Sequence, residues 1–244
     1  MLTDKQKERY SRQIMSSSIG EKGQEKLGNI KVLQIGVGGL GSPFALYLTA
    51  AGIQELRIVD NDTVSLSNLQ RQILYREEQI KKAKTDIAAV ELKNLNSNVT
   101  IKTHQDYVDE QSIEKYLNDI DFIVDCSDNL KTKFLVNKTA VKHNIKCVVA
   151  GIKDFFGQII TVDPENTACY ECVFTEQKVK EKKKETLPVI GATAGVLGTL
   201  EAVEVIKTAL DLPNLYNRLL MVDLLNQSYN IIDVVKNENC ICSQ

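Results

Sequence analysis

A glycine-rich turn between a strand pattern and a helix pattern is the feature that most constrains how this chain can fold. Lys31 to Gly36 reads KVLQIG, an apolar run rich in β-forming residues that is typical of a buried strand. A glycine-rich turn follows, then the small-residue helical stretch SPFALYLTAAG, and then a second strand pattern, ELRIVD, from Glu55 to Asp60. This order predicts one βαβ unit.

The alternation of strand and helix patterns continues beyond this unit. Further strands are predicted at Val99 to Thr103 and Asp121 to Asp125, and helices at Ala83 to Leu95 and Asn129 to His143. Such alternation is typical of an α/β fold with a mostly parallel sheet and helices on both faces. We therefore predict a Rossmann-like fold, preceded by a charged helical segment over residues 4–28.

The pattern changes in the second half of the chain. GQIITVDP and LLMVDLLNQSYNIIDVV are predicted to be strands, and they indicate that antiparallel strands extend the sheet. The lysine-rich segment from Glu176 to Thr186 has no apolar period and is predicted to be a mobile surface loop. After it, GATAGVLGTLEAVEVIKTAL restores a helix whose glycines permit close packing.

Composition and charge narrow the classes of function. The 244 residues carry a formal net charge of -2, which lacks the positive field that binding to a nucleic-acid backbone usually requires, so a nucleic-acid partner is unlikely on this ground. No apolar run approaches the roughly 20 residues that a membrane helix needs, and the charged N-terminus does not resemble a secretory signal. We expect a cytoplasmic protein without a membrane partner.

The glycine-rich turn has the spacing of a phosphate-binding loop. Gly36, Gly38 and Gly41 form G-x-G-x-x-G where a strand meets a helix, so backbone N–H groups and the helix N-terminus can receive a phosphate. Asp60, at the end of the next strand, is placed to accept hydrogen bonds from a ribose hydroxyl. The motif alone also fits an NAD-dependent oxidoreductase, or a turn that serves only for packing.

The segment after Asp60 favours ATP over a nicotinamide cofactor. Asp60 to Gln72 reads DNDTVSLSNLQRQ, which places carboxylates, amides and a guanidinium just beyond the ribose position. A triphosphate carries several negative charges that need an arginine, a lysine and a metal around them. A nicotinamide site has little use for such a cluster.

Several motifs, taken together and in order, closely resemble those of the ThiF/MoeB/HesA family, the bacterial relatives of ubiquitin-activating enzymes. They are spread over nearly the whole chain: RYSRQI at Arg9 to Ile14, GVGGLGS at Gly36 to Ser42, DNDTVSLSNLQRQ at Asp60 to Gln72, Lys84 in KKAKTD, DCSDN at Asp125 to Asn129, and CYEC at Cys169 to Cys172. The resemblance implies one adenylation domain over residues 1–244, with a nucleotide-binding half at 1–150, an antiparallel extension at 151–244 and a crossover loop at 173–194.

The resemblance also implies a role for each matched residue. Arg71, Lys84, Asp128 and Arg12 would be catalytic, with Asp128 holding Mg²⁺ and Arg12 reaching the ATP of the neighbouring subunit in a homodimer. The residues implied to bind ATP are Gly36, Gly38, Gly39, Gly41, Asp60, Asp62, Asn68, Arg71, Gln72 and Lys84. The alternatives are that Arg12 and Lys84 are solvated helix charges, that Asp128 caps the helix near Asn129, and that Asp62 and Gln72 only support the loop.

The activity that the resemblance implies is ATP-dependent adenylation of a small ubiquitin-like sulfur-carrier protein that ends in Gly-Gly. The carrier's terminal carboxylate would attack the α-phosphorus and release pyrophosphate, in thiamin or molybdopterin biosynthesis. The carboxylate is already an anion, so no general base is needed, and His104 and His143 are interpreted as structural or solvated. Within the family, adenylation of a modified tRNA base or of a peptide is the alternative.

Six cysteines include two close pairs that predict a zinc site. Cys169, Cys172, Cys240 and Cys242 supply the number of thiolates that a tetrahedral structural site needs, although the family's usual second half is C-x-x-C and this chain has C-x-C. The alternative is a free or partly oxidised pair. Cys126 and Cys147 lie in apolar stretches and are predicted to be small core residues.

The segment that joins the cysteine pair to the glycine-containing helix differs from that of some relatives. Those relatives carry a cysteine there that can bind the activated carrier covalently, whereas Val173 to Ala194 contains none. We therefore expect the reaction to stop at the acyl-adenylate and a separate protein to donate the sulfur.

Overall fold

One eight-stranded sheet organises the chain. The computed structural model describes residues 1–175 and 187–243. The strand order is β3-β2-β1-β4-β5-β6-β7-β8, and the strands are β1 (Lys31–Ile35), β2 (Glu55–Val59), β3 (Thr100–His104), β4 (Phe122–Asp125), β5 (Lys146–Lys153), β6 (Phe156–Val162), β7 (Arg218–Asp223) and β8 (Ser228–Asp233). Strands β1 to β5 pair in parallel, and β5 to β8 pair antiparallel.

Helices pack on both faces of this sheet. They are α1 (Asp4–Arg9), α2 (Ser11–Ile14), α3 (Gly20–Leu27), α4 (Gly41–Ala51), α5 (Lys84–Leu95), α6 (Leu130–His143), α7 (Tyr170–Val173) and α8 (Gly191–Ala209). Short 3₁₀ turns lie at Leu66–Asn68, Glu77–Gln79, Ile113–Tyr116 and Ile241–Ser243.

Two apolar clusters fill the space between the sheet and its helices, because successive strand residues point to opposite faces. Val32 on β1 belongs to the cluster beneath α4, α5 and α8, which also contains Phe44 and Leu197. Its neighbour Leu33 belongs to the cluster on the other face, with Phe134 from α6. The predicted fold class, a mostly parallel sheet with antiparallel C-terminal strands and helices on both faces, is confirmed.

The predicted elements differ from the observed ones mainly at their ends. Helices α5 and α6 begin one residue later than predicted, and β3 is shifted by one residue. The N-terminal segment was predicted as one charged helical stretch, but it forms three short helices. Gly20, the first residue of α3, has a left-handed φ of 63°. The Tyr10 ring is buried and packs on Gly52 so closely that a Cβ on Gly52 would lie 2.4 Å from the ring.

The predicted loop from Glu176 to Thr186 lies outside the described residues. Among residues 1–175 and 187–243, no helix is both long and apolar enough to cross a membrane.

Cys126 and Cys147 are buried, as predicted for core residues.

Candidate active site

The glycine-rich loop after β1 is folded so tightly that side chains cannot fit at its key positions. A Cβ on Gly41 would lie 2.3 Å from the carbonyl oxygen of Gly36, and Gly36 itself has a left-handed φ of 88°. The Gln34 amide donates to the carbonyl oxygens of both glycines, at 2.8 and 3.0 Å. The loop therefore packs tightly against the start of α4, and Gly38 and Gly39 stay partly exposed just before the helix N-terminus, where a phosphate can be received.

Asp60 joins this loop to the segment that follows β2. Its Oδ2 accepts a hydrogen bond from the Val37 N–H at 2.8 Å, and its Oδ1 accepts one from the Asp62 N–H at 2.8 Å. Tyr75 secures the same loop by donating from its hydroxyl to the Val37 carbonyl oxygen at 2.8 Å. A carboxylate oxygen has a second lone pair, so Asp60 keeps acceptor capacity for a ligand hydroxyl.

Arg71 and Gln72 lie against the glycine loop. A Cβ on Gly39 would lie 3.4 Å from Arg71 Cγ and Cδ, and one on Gly38 would lie 3.4 Å from Gln72 Nε2. Gln72 is 4% exposed, and its Oε1 has no hydrogen-bond partner within the described residues. Buried polar atoms normally have partners, so the unpaired acceptor beside the glycine loop marks a place where a ligand could supply one.

Asn68 supports these two side chains through the backbone. Its carbonyl oxygen accepts hydrogen bonds from the N–H groups of Arg71 and Gln72, at 3.0 and 2.9 Å. Arg71 Nη1 also donates to the Ser67 carbonyl oxygen at 3.0 Å. The turn from Ser67 to Gln72 therefore holds the Arg71 guanidinium in a defined place beside the glycine loop.

Lys84 is buried at the first position of α5 and pairs with Asp62. Its Nζ lies 2.8 Å from Asp62 Oδ2, and its backbone N–H donates to the Asp62 carbonyl oxygen at 3.0 Å. The Lys84 side chain is 4% exposed, so it is not a solvated helix charge, which was the alternative interpretation. Asp62 thus links Lys84 to Asp60 and, through Asp60, to the glycine loop.

Asp128 lies in the turn between β4 and α6, which packs against the other side of the glycine loop. A Cβ on Gly36 would lie 3.1 Å from the Cys126 carbonyl oxygen and 3.4 Å from Ser127 Cα. Asp128 is exposed, and no hydrogen bond or ion pair involves its side chain in the described part of the chain. The alternative that Asp128 caps α6 is wrong, because Asn129 caps it by accepting from the Thr132 N–H at 2.9 Å.

A buried ion pair beneath this turn was not identified from the sequence. Lys133 Nζ lies 2.6 Å from Asp125 Oδ2, and both side chains are almost completely buried, at 6% and 0% exposure. Burial raises the pKa of Asp125, and the Lys133 ammonium opposes that shift. The available signal was a lysine directly before the apolar run FLV in α6, where a solvated charge would not be expected.

Glu201 is a second buried acid that sequence reasoning missed. It lies on α8 at 0% exposure, and its Oε2 accepts a hydrogen bond from the Cys126 thiol at 3.5 Å. Burial raises the pKa of the Glu201 carboxyl well above its usual range, with a further contribution from Asp125. An unpaired buried charge would be very costly, so this burial favours the protonated form of the carboxyl.

Arg12 is the residue of the predicted ATP site that the structure places apart from the glycine loop. Its neighbour Gln13 donates from Nε2 to the Ala51 carbonyl oxygen at 3.1 Å, at the C-terminal end of α4, whereas the glycine loop lies at the opposite end. A helix of 11 residues is about 16 Å long. Arg12 is exposed, and no partner for its side chain is found among the described residues.

The four predicted zinc ligands gather at one place. The sulfur atoms of Cys169, Cys172, Cys240 and Cys242 all lie within 4.8 Å of one another, and none of these cysteines is disulfide-bonded. The C-x-C pair fits because Ile241–Ser243 forms a 3₁₀ turn that directs both thiols inward. Asn137 Nδ2 and the Asn237 N–H donate to Cys169 and Cys172 sulfur atoms, at 3.5 and 3.4 Å.

The chain is similar in sequence to named adenylyltransferases. It is 37% identical over 207 residues to the Escherichia coli sulfur carrier protein ThiS adenylyltransferase, covering 84% of this chain and 82% of that protein. It is 33% identical over 243 residues to the SAMP-activating enzyme E1 of Haloferax volcanii, covering 98% and 90%. The bovine adenylyltransferase and sulfurtransferase MOCS3 is 38% identical over 227 residues, which cover 92% of this chain and 50% of that protein.

Solved structures share the fold. E. coli MccB with succinimide superposes with a TM-score of 0.87 and 25% identity, covering 100% of this chain and 75% of that one. E. coli MccB with ATP has a TM-score of 0.86 and 26% identity, covering 97% and 73%. The model of the ThiF family matches residues 10–243, which include every predicted site residue, and this chain belongs to the ThiF family.

Proposed function

We propose that this chain is an adenylyltransferase that uses ATP to activate the C-terminal glycine carboxylate of a small ubiquitin-like sulfur-carrier protein. One arrangement carries the proposal. Arg71 lies against the glycine loop, and Lys84 is connected to the same loop through Asp62 and Asp60. The chain that holds this junction is 37% identical to an enzyme named for adenylating the carrier ThiS.

ATP fits the chemistry of these residues. Gly36, Gly38 and Gly39 are partly exposed, so a ligand can approach their backbone, and the unpaired Gln72 Oε1 is proposed to accept a hydrogen bond from the nucleotide. Asp60 is the ligand proposed for the ribose. Arg71, Lys84 and Asn68 are proposed to hold the phosphates, and the two cations offset the charge that develops on pyrophosphate as it leaves.

A magnesium ion is proposed to bind at Asp128. Its carboxylate is exposed and unpaired within the described chain, and carboxylate oxygens are the ligands that Mg²⁺ prefers. When bound, Mg²⁺ neutralises phosphate charge and orients the phosphates. Asp128 lies directly after Ser127, whose Cα packs on the glycine loop, so an ion held by Asp128 would lie near the loop proposed to receive the phosphates.

A structural zinc ion is proposed to bind the cysteine cluster. A tetrahedral site with bonds of about 2.3 Å sets neighbouring sulfur atoms about 3.8 Å apart. The Cys169–Cys240, Cys172–Cys242 and Cys169–Cys172 sulfur distances of 3.4, 3.5 and 4.0 Å are close to this value. The amide groups that donate to two of these sulfur atoms would stabilise thiolates, as donors around metal ligands do.

The active enzyme is proposed to be a homodimer in which Arg12 completes the neighbour's ATP site. The neighbouring Gln13 contacts the C-terminal end of α4, about one helix length from the glycine loop, so Arg12 is proposed to act outside its own chain's site. The side chains on either side of it are anchored: Tyr10 is buried against Gly52, and Gln13 donates to Gln24 Oε1 at 2.6 Å. Arg12 is thereby held outward on a firmly attached segment.

The proposed reaction needs no general base from the protein. A glycine carboxylate is an anion at neutral pH, so attack on the α-phosphorus depends on positioning and on charge stabilisation. The products are the carrier acyl-adenylate and pyrophosphate. Because Val173 to Ala194 contains no cysteine, sulfur delivery is assigned to a separate donor, in thiamin or molybdopterin biosynthesis.

Exchange of labelled pyrophosphate into ATP tests this function. We expect exchange that requires a carrier ending in Gly-Gly, and a carrier lacking its last glycine should support none. Exchange without any carrier, or oxidation of NADH by the purified protein, would contradict the proposal.

A peptide is the second candidate substrate, as an alternative that the family resemblance leaves open, and the superposition on E. coli MccB with a TM-score of 0.87 is compatible with it. The higher identity to the ThiS adenylyltransferase, 37% against 25%, favours the carrier protein. Exchange supported by a short peptide but not by a folded Gly-Gly carrier would reverse this order.

A further inference from the structure

The buried amine of Lys133 binds three acceptors on three different parts of the chain. Its Nζ donates to Asp125 Oδ2 at 2.6 Å, to the Ser127 carbonyl oxygen at 2.9 Å and to the Ala150 carbonyl oxygen at 2.6 Å. These acceptors belong to the end of β4, the turn that follows it, and β5. An ammonium has three N–H donors, so every one of them is used.

These bonds fix the turn in which Asp128 lies. On the strand side, Ser127 Oγ donates to Asp125 Oδ1 at 2.6 Å, and on the helix side Asn129 Oδ1 accepts from the Thr132 hydroxyl at 2.8 Å. Between these two side-chain contacts, Lys133 Nζ holds the carbonyl oxygen of Ser127. Asp128 has no side-chain partner of its own in the described chain, so the backbone of the turn alone sets where its carboxylate lies.

The same turn supports the glycine loop. The carbonyl group of Cys126 and the Cα of Ser127 lie 3.1 to 3.4 Å from the position of a Cβ on Gly36. A displaced turn would therefore move both Asp128 and the backbone that receives the phosphates. No other side-chain hydrogen bond in the described part of the chain joins the middle of this turn to β5.

We propose that Lys133 is a positioning residue that sets the place of Asp128 relative to the glycine loop, and so the affinity of the site for metal-bound nucleotide. The proposal rests on the proposed function, in which Asp128 holds Mg²⁺. Lys133 does not touch the nucleotide in this scheme, and it acts only through the turn.

A charge-balanced variant tests this role without leaving a buried carboxylate unpaired, which would cost several kcal/mol and endanger folding. The variant is Lys133→Met with Asp125→Asn, because an asparagine can still accept from Ser127 Oγ. Lys142→Met is the matched control: it makes the same substitution on the same helix, at a side chain that is 67% exposed. Thermal unfolding verifies that both proteins are folded.

Binding of Mn²⁺ together with a methylene-bridged, non-hydrolysable ATP analogue is the readout that does not require turnover. We expect the charge-balanced variant to bind the metal about 10- to 100-fold more weakly than the wild type, as is typical when groups supporting a metal ligand are lost. Hydrogen exchange at residues 126–129 should become faster. The control should match the wild type in both measurements, and unchanged metal binding in the charge-balanced variant would overturn the proposal.

A double-mutant comparison with Asp128→Asn separates positioning from general destabilisation. If Lys133 acts through Asp128, adding the charge-balanced change to Asp128→Asn should weaken metal binding much less than the same change does in the wild type. A fully additive loss would show that Lys133 acts elsewhere and would overturn the inference. Failure of the wild type to exchange pyrophosphate would refute the proposed function, whereas the binding comparison would still decide the role of Lys133.

Discussion

Lys84 and Asp62 form an ion pair in which the lysine is buried and the acid is open to solvent: their atoms lie 2.8 Å apart, with side-chain exposures of 4% and 63%. Burial of the lysine methylenes fixes where its ammonium lies. Because Asp62 is exposed, water can replace Lys84 as its partner if a phosphate binds the Lys84 ammonium. Asp62 therefore holds the Lys84 ammonium in a defined place, and under the proposed function that cation would stabilise charge on the phosphates.

Replacement of Lys84 or Arg71 by alanine should lower the rate of pyrophosphate exchange about 100-fold or more, because each cation acts on charge that develops at the leaving phosphates. Lys82→Ala, at an exposed neighbouring position, is the control and should retain the wild-type rate. Exchange rates measured on proteins of equal thermal stability check this. A Lys84→Ala enzyme with normal activity would mean that the triphosphate binds elsewhere.

Substitution of Gly41 by alanine should abolish nucleotide binding or unfold the loop, since the new Cβ would lie 2.3 Å from the Gly36 carbonyl oxygen. Gly195→Ala provides the contrast: nothing lies within 4 Å of its Cβ position on α8. There the alanine should stabilise the helix by about 0.5–1 kcal/mol, because glycine loses more backbone entropy on folding. Chemical denaturation and titration with ATP measure both effects, and equal behaviour of the two variants would contradict the loop geometry.

The purified protein should contain about one zinc ion per chain, bound by Cys169, Cys172, Cys240 and Cys242. Cys240→Ser should lose the metal and lower the thermal midpoint, because metal binding contributes directly to folding free energy. Cys147→Ala, at a buried cysteine outside the cluster, should keep it. Elemental analysis of freshly reduced protein decides the matter, and zinc-free wild type would refute the assignment.

Arg12→Ala and Lys84→Ala should each be inactive alone, yet should complement each other when subunits exchange. A mixed dimer has one pocket with Lys84 intact and an Arg12 donated by the other chain. Half of the dimers are mixed and each has one competent site, so about one quarter of the wild-type activity should return. No recovery under conditions of proven exchange, or full activity of Arg12→Ala, would show that Arg12 does not act between subunits.

The amino-acid sequence by itself determined the elements whose signal is local. The strand before Gly36, the helix after it and the alternation through His143 follow from the periodicity of apolar residues, which depends only on neighbours along the chain. The cysteine spacing likewise predicted the cluster that now lies within 4.8 Å, even with the shortened C-x-C pair.

Only the tertiary structure decided which distant groups meet. Lys133 pairs with Asp125, and Cys126 donates to Glu201, across element boundaries that no periodicity connects. The helix cap is Asn129 and not Asp128, because the Asn129 side chain accepts a hydrogen bond from the Thr132 N–H. The Asp128 side chain is left open to solvent. Such pairings depend on packing in three dimensions, since a buried charge or amide is stable only where the fold brings it a partner.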